Sequence, residues 1–461
     1  MSFTSALRRG AVALLAVTAL VAAPSVTPAE AQTSSSLGAG GEYFPLTPTR
    51  IFDQFRNSNS TFTVPVAGRG GVPSSGVLAV GINVTVDRTQ GSGYLAVSPS
   101  DFQRGANEAP SSLLNFNGRN DTVPNFGIVG VGPDGIKIEL VTNGGGNTRV
   151  IVDVFGFVAT SSFTGGNGVS VNDGARLVAV TPERIVDTRR ITGSPRTNGG
   201  NPLSARQNLR IPVRGVAPVP NDSDVSAVVV NLTGINTTSS STTTYLSAGP
   251  SGVPSSQAEA SSSNGNYDRD SIQANLAIVP LASDGSFTLF NRAGRIDVAI
   301  DVVGYLEENV SQTSTRGRIV PLEAPFRSFD TREPEFDNVK LGRQQWEDWS
   351  FEDFANSVQL DGQAVGSQSA LFGNLTVTQF ARFSSAESRE NYMTLNPAYP
   401  DGQYPQGDAP NSNINVREGS DVANAAIVTY GSKGGDDYMI SAFNRWGSTH
   451  YLLDVSAVIL S

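Results

Sequence analysis

Cysteine is absent from the 461 residues, methionine and tryptophan occur three times each, and histidine occurs once. Without thiols the chain can form neither a disulfide nor a thiolate metal site, so an exported form must be held together by its own sheets. One histidine, His450, excludes a multi-histidine metal centre and leaves a single candidate for a histidine-dependent base. Its place at the start of the last strand reads as an exposed strand-end imidazole. Positive charge is also scarce: 32 Lys and Arg stand against 42 Asp and Glu, a net charge of −10, and no basic cluster offsets it. Nucleic acid is therefore not an expected partner. No segment of the mature chain carries a convincing helical face, no Gly-x-Ser-x-Gly elbow is present, and no metal or cofactor is expected.

What is present begins with an export signal over residues 1–31. Arg8 and Arg9 provide a positive start, residues 10–23 form a short apolar run, and Ala29-Glu30-Ala31 offers small residues around a cleavage point. That run is shorter than the ~20 residues needed to cross a bilayer, and no later run approaches it, which points to release and an extracellular location without a transmembrane segment.

The mature chain states one pattern three times. Arg50-Ile51-Phe52-Asp53, Arg184-Ile185-Val186-Asp187-Thr188-Arg189 and Arg327-Ser328-Phe329-Asp330-Thr331-Arg332 each open a segment that passes through Asn-x-Thr and closes on an aliphatic strand bearing one aspartate. Self-similarity of this kind marks repeated folding units. The expected repeats span residues 43–159, 176–306 and 318–461, joined by polar linkers at 32–42, 160–175 and 307–317. Within each, short apolar runs of period two alternate with turn residues, and eight strands are expected in the first. The expected fold class is all-β: three tandem antiparallel β-sandwich or barrel-like domains.

Alternation places Val80, Ile82, Val84 and Val86 on one face of a strand and Asn83 with Thr85 on the other. Asn231-Leu232-Thr233 and Asn374-Leu375-Thr376 repeat this, and a structural hydrogen-bonding role suits them better than glycosylation. The closing strands set Asp153, Asp301 and Asp454 among aliphatic residues, where a carboxylate needs a partner. The opening arginines can provide one, through either Arg50, Arg184 and Arg327 or the later Arg56, Arg189 and Arg332, because a guanidinium grips a carboxylate with two parallel hydrogen bonds. With Asp53, Asp187 and Asp330 these form the expected structural ion pairs. The competing reading is a pair of catalytic carboxylates acting on a glycan. Recurrence in all three repeats favours the frame over chemistry.

Asn125, Asn275 and Asn424, and likewise Asn143, Asn291 and Asn444, fall beside strands at matching places and read as turn and edge residues. Candidate ligand contacts are Tyr94 with Asn117, Tyr245 with Asn266 and Tyr392 with Asn413, since amides beside tyrosines suit sugar hydroxyls. Trp346 joins them, because the third repeat alone carries Trp346-Glu347-Asp348-Trp349-Ser350-Phe351, where Trp349 to Phe351 reads as a core strand.

The segment Phe44-Pro45-Leu46-Thr47-Pro48-Thr49-Arg50, the run from Pro182 to Arg189, the Asn-x-Thr strand and the ending Asp301-Val302-Val303-Gly304-Tyr305 together resemble a repeat domain of exported actinobacterial proteins. The first copy has Gln54-Phe55-Arg56 in place of Thr-Arg, and the third ends Val455-Ser456-Ala457-Val458 without Gly-Tyr. The resemblance implies a non-catalytic β module in an extracellular setting. The expected function is a secreted binding or structural module contacting polysaccharide or another cell-envelope component, with avidity from three similar surfaces and with self-association as a further option. The alternative is an extracellular glycan-active enzyme.

Overall fold

The computed structural model describes residues 40–105, 111–160, 163–190, 198–236, 242–250, 252, 262–360, 363–400 and 403–461. The export signal expected over residues 1–31 lies outside them. The described chain is almost entirely antiparallel sheet. The first repeat supplies β1 (Tyr43–Asn57), β2 (Ser60–Val64), β3 (Val77–Asp87), β4 (Gly93–Pro99), β5 (Leu114–Phe116), β6 (Val123–Gly130), β7 (Ile136–Thr142) and β8 (Asn147–Ala159). The second supplies β9 (Arg176–Asp187), β10 (Gln207–Pro212), β11 (Val225–Ile235), β12 (Thr244–Gly249), β13 (Gly265–Tyr267), β14 (Ile272–Pro280), β15 (Ser286–Asn291) and β16 (Asp297–Glu307). The third opens with β17 (Ile319–Asp330), β18 (Gln345–Ser350) and the short helix α1 (Glu352–Ser357), which the sequence pattern did not signal. A small hairpin, β19 (Gln359–Leu360) with β20 (Gln363–Ala364), follows. The repeat then completes itself with β21 (Gln368–Ala381), β22 (Glu390–Pro397), β23 (Ile414–Arg417), β24 (Val422–Thr429), β25 (Gly431–Lys433), β26 (Asp436–Asn444) and β27 (Ser448–Leu460).

Each repeat makes two sheets of the same connectivity. The first sheets run β1-β8-β3-β6, β9-β16-β11-β14 and β17-β27-β21-β24; the second run β2-β7-β4-β5, β10-β15-β12-β13 and β18-β26-β22-β23, with β25 added on β26. The opening strand is always an edge of its sheet, which is why β1 tolerates Pro45 and Pro48 over fifteen residues: past Tyr43 it pairs with β8 on one side alone. The aliphatic faces of a repeat's two sheets enclose one core. In the first repeat Val80, Ile82, Val84 and Val86 of β3 meet Leu95 and Val97 of β4 and Ile136, Ile138 and Leu140 of β7. Phe163, in the segment expected to be a free linker, returns into this core against Phe44 and Phe157.

The opposite faces of the three first sheets also meet, and here the structure departs from three separate domains. Ala79, Phe126, Ile128 and Val158 of the first repeat share a single cluster with Leu177, Ala227, Val229 and Ile278 of the second and with Ile319, Ala370, Phe372 and Ile427 of the third. The small antiparallel sheets form one ring around it. The physical reason is that a sheet apolar on both faces has to be covered on both, and only the other repeats are available to cover the second face. Close approach needs glycine at Gly81 and Gly156, where an added Cβ would lie 2.5 and 2.4 Å from the Tyr43 hydroxyl.

At one end of the ring the backbone closes with threefold regularity. Tyr43 exchanges hydrogen bonds with Ala175, Gly41 with Ile319, and Leu177 donates to the Gly317 carbonyl, all at 2.9 Å. Tyr43, Leu177 and Ile319 thus occupy equivalent places, as do Gly41, Ala175 and Gly317.

Candidate functional site

The recurrent polar residues form a line across each first sheet. Arg50, Asp153 and Asn83 lie in register on β1, β8 and β3; Arg184, Asp301 and Asn231 do so on β9, β16 and β11; Arg327, Asp454 and Asn374 do so on β17, β27 and β21. In each repeat the arginine grips the closing aspartate with both ends of its fork. Arg50 donates from Nε and Nη2 to Asp153 at 3.0 and 3.3 Å, Arg184 to Asp301 at 2.8 and 2.9 Å, and Arg327 to Asp454 at 2.9 and 3.1 Å. The remaining Nη1 of the same arginine leans toward the opening aspartate, 3.2 Å from Asp53, 3.8 Å from Asp187 and 3.4 Å from Asp330.

The later arginines serve those opening aspartates instead of the closing ones. Arg189 holds Asp187 at 2.8 and 2.7 Å, and Arg332 holds Asp330 at 2.8 and 2.5 Å. Arg56, the alternative partner in the first repeat, lies over the rings of Phe52 and Phe62 at 4.9 and 4.7 Å. Its role passes to Arg149 on the closing strand, which binds Asp53 at 2.7 and 2.8 Å. Asp297 fills that position in the second repeat and accepts from Thr188; His450 fills it in the third, its Nδ1 3.1 Å from Thr331 Oγ1. His450 is therefore buried against its own repeat, not the exposed imidazole expected.

The carboxylates differ electrostatically. Burial pushes Asp301 and Asp454 above the ordinary carboxylate range against the pull of Arg184 and Arg327. The hydrogen bonds from Arg149 hold Asp53 below that range. Burial acts upward on Asp187 and Asp330 as well, but the arginine contacts, led by Arg189 and Arg332, prevail and hold both below it.

The asparagines expected at turns and edges, Asn125, Asn275 and Asn424, instead join one repeat to the next. Asn275 Nδ2 donates to Asn83 Oδ1 at 3.2 Å, Asn424 Nδ2 to Asn231 Oδ1 at 2.9 Å, and Asn125 Nδ2 to Asn374 Oδ1 at 2.8 Å. The Oδ1 atoms of two of them accept from the next repeat: Phe126 N reaches Asn275 at 3.2 Å and Ala425 N reaches Asn125 at 3.1 Å, while Asn424 Oδ1 has no hydrogen-bond partner among the described residues. The chain of contacts is cyclic and buried. Asp454 also accepts from Ser112 N of the first repeat at 3.1 Å, and Asp301 from the backbone of Ser412 in the third. Buried amides persist only when partnered, and here the partner is another repeat. Asn291 and Asn444 do close strand ends, through carbonyls such as Leu203 O and Leu341 O, and Asn143 donates to Ser92.

The expected ligand residues lie near these seams. Tyr94, Tyr245 and Tyr392 are half-buried at equivalent positions, and the charges of Arg327 on Tyr94 and of Arg184 on Tyr392 act from neighbouring repeats. Asn117 is exposed but exchanges hydrogen bonds with the Asp421 backbone of the third repeat at 2.9 and 2.7 Å. Asn266 is half-buried and donates to Ser263 at 3.3 Å. Asn413 is buried, its Oδ1 accepting from Thr394 and Leu395 at 2.9 and 2.7 Å. Trp346 is half-buried in a cluster that sequence reasoning only partly reached. Tyr404 stacks on it at 5.2 Å, Tyr399 meets it edge-on at 5.2 Å, and Asp348 accepts from Tyr404 and Ser441, each at 2.5 Å, and from Lys433. Two tyrosines inside the Pro/Gly-rich insertion Tyr399 to Pro405 were the available signal. Trp349 turns inward, stacked on Phe329 at 4.8 Å.

Among the described residues no helix is long and apolar enough to cross a membrane, and no group of three His, Asp or Glu is disposed to hold a metal ion. No protein-family model matches the chain, and no curated protein matches it. Among solved structures it is similar to one described as the triple jelly roll fold and turret assembly of an archaeal virus, at 11% identity and a TM-score of 0.14 over 90% of this chain and 91% of the other. It is similar also to one of Sulfolobus Turreted Icosahedral Virus, at 11% identity and a TM-score of 0.14 over 91% and 100%. At those scores the likeness carries no argument.

Proposed function

We propose that this is an exported, non-catalytic protein of three sandwich-like β repeats, acting outside the cell as a binding or structural module toward polysaccharide or another envelope component. The observation that carries this reading is the state of the recurrent carboxylates. Asp153, Asp301 and Asp454 are 2%, 1% and 2% exposed, with both oxygens of each held by one guanidinium. A glycosidase needs two acids facing one bond across a solvent-open gap of roughly 5–10 Å. Acids clamped in this way act as a frame instead. The half-exposed aromatic cluster of Trp346, Tyr399 and Tyr404 is the surface best suited to stack on sugar rings.

Co-sedimentation of the purified mature protein with insoluble polysaccharides and cell-wall fractions tests the reading. Retention in at least one pellet that falls severalfold on Trp346→Ala, with no new reducing ends in the supernatant, is the expected result. Release of reducing ends would move the assignment to the glycan-active enzyme, and a clean supernatant across the panel would remove the binding role.

A further inference from the structure

Charge is distributed unequally over the three repeats. Residues 43–159 hold 8 Asp and Glu against 8 Lys and Arg, and residues 176–306 hold 10 against 11. Residues 318–461 hold 19 against 10, so nearly the whole net charge of −10 falls on the third repeat. That repeat also carries the half-buried aromatic cluster of Trp346, Tyr399 and Tyr404.

Trp346 and Asp348 alternate onto one face of β18, the edge strand of its sheet. On that face the Tyr404 ring lies parallel to Trp346, and the Lys433 ammonium sits 5.2 Å from the Tyr404 centroid. Lys433 Nζ donates to the Tyr404 hydroxyl at 3.1 Å and also to Asp348. An ammonium over an aromatic ring beside a carboxylate is an arrangement that recognises amines. The protein's own lysine therefore shows which cation this surface accepts. Further acids lie along the strand and its neighbouring hairpin. Asp436 pairs in register with Lys433, Asp437 follows it, and Glu352 and Asp353 come just after β18, where Phe351 N donates to Tyr438 O. Among the described residues none of these four acids has an ion-pair contact, and all but half-buried Asp436 are exposed. The basic groups that flank the strand, Lys433 and Arg445, are each matched by a carboxylate, Asp348 and Asp408.

We infer that the ligand of the Trp346 surface is a polysaccharide bearing free amino groups, a deacetylated amino-sugar polymer, drawn in by the acidic third repeat and held with its ammonium groups against the ring faces. A polymer of carboxylates or phosphates would meet a surface of its own sign. The inference rests on the proposed polysaccharide contact and names its chemistry.

Co-sedimentation of the purified mature protein with one preparation of insoluble chitin particles tests it, with the particles used after surface deacetylation and again after those amines are re-acetylated. At mildly acidic pH the amines carry a proton while exposed carboxylates stay ionised. Retention should be about fivefold or more greater on the amine particles, and should fall severalfold between about 0.02 and 0.3 M NaCl as exposed charges are screened. Trp346→Ala, which leaves the net charge unchanged, should lose most of that retention. Asp436→Asn with Asp437→Asn should lower it about twofold to fivefold, whereas the charge-matched pair Asp134→Asn with Asp270→Asn, in the first and second repeats, should leave it unchanged. Equal or stronger retention on the acetylated particles overturns the inference and leaves the polysaccharide contact standing. Retention on neither also overturns it, and only a clean supernatant across neutral and acidic polysaccharides as well would remove the contact itself. An amine preference that survives Trp346→Ala, or that falls equally with either acid pair, overturns it too, because bulk attraction between opposite charges explains both. Should Trp346→Ala fail to fold, the contrast between the two acid pairs decides.

Discussion

The first and second repeats carry the same ion pair in different surroundings. Arg50 leaves 43% of its side chain exposed above Asp153, whereas Arg184 leaves 19% above Asp301. The first repeat also recruits Arg149 from its closing strand to do for Asp53 what the neighbouring Arg189 does for Asp187. Identical chemistry can therefore have unequal energetic weight. A guanidinium that loses its aspartate in water is resolvated, but one that loses it in the interior is stranded.

Removing each aspartate in turn tests that contrast most directly. Asp301→Ala should destabilise the protein by about 3–5 kcal/mol, because Arg184 is left buried without its main partner, and Asp153→Ala by only about 1–2 kcal/mol. Urea denaturation measures both, and equal losses would break the comparison. Next in size is the seam between repeats. Asn231→Leu removes the donor to Ser412 and the acceptor for Asn424, and a loss of about 1–3 kcal/mol is expected in the same assay. A neutral outcome would mean that the asparagine chain contributes nothing to holding the repeats together.

His450 sharpens the comparison in the third repeat. Burial, with Lys340 and Arg332 nearby, depresses its imidazole below the ordinary value. The unfolded chain then binds a proton more readily than the folded one, so the stability contributed by neutral His450 is present above about pH 6.5 and declines as pH falls through the folded value. Melting temperatures at pH 7.5 and 5.5 should fall further in the parent than in His450→Gln, and parallel curves would remove the effect. The smallest change is expected for Arg149→Gln, below about 1 kcal/mol, since Asp53 is 28% exposed and retains Arg50. A larger loss would show the first repeat to be as dependent on its second arginine as on its first.

Much of each repeat was legible from residue order. The eight strands expected in the first repeat all occur, because period-two alternation and turn residues are local signals. The opening arginines were legible as partners for the closing aspartates, because a carboxylate among aliphatic residues requires a cation. The seam was not legible. Asn125 and Asn275 lie 249 and 149 residues from Asn374 and Phe126, their respective partners across repeats, and nothing local distinguishes such an asparagine from one at a turn. His450 reads from the sequence as an exposed strand-end imidazole for the same reason: its partner Thr331, like the partner Asp53 of Arg149, becomes a neighbour only through pairing of the first and last strands.

By itself, the sequence determined that this is an all-β chain with three copies of one unit, each with an apolar face on alternate residues and an acid that demands an arginine. Only the tertiary structure decided what the other face meets. Alternation marks Asn83 and Thr85 as lying opposite Val84, but a polar face can turn to water or to another polar face. Here the other repeats supply complementary amides and a shared apolar cluster, so the three copies close on one another as a single ring.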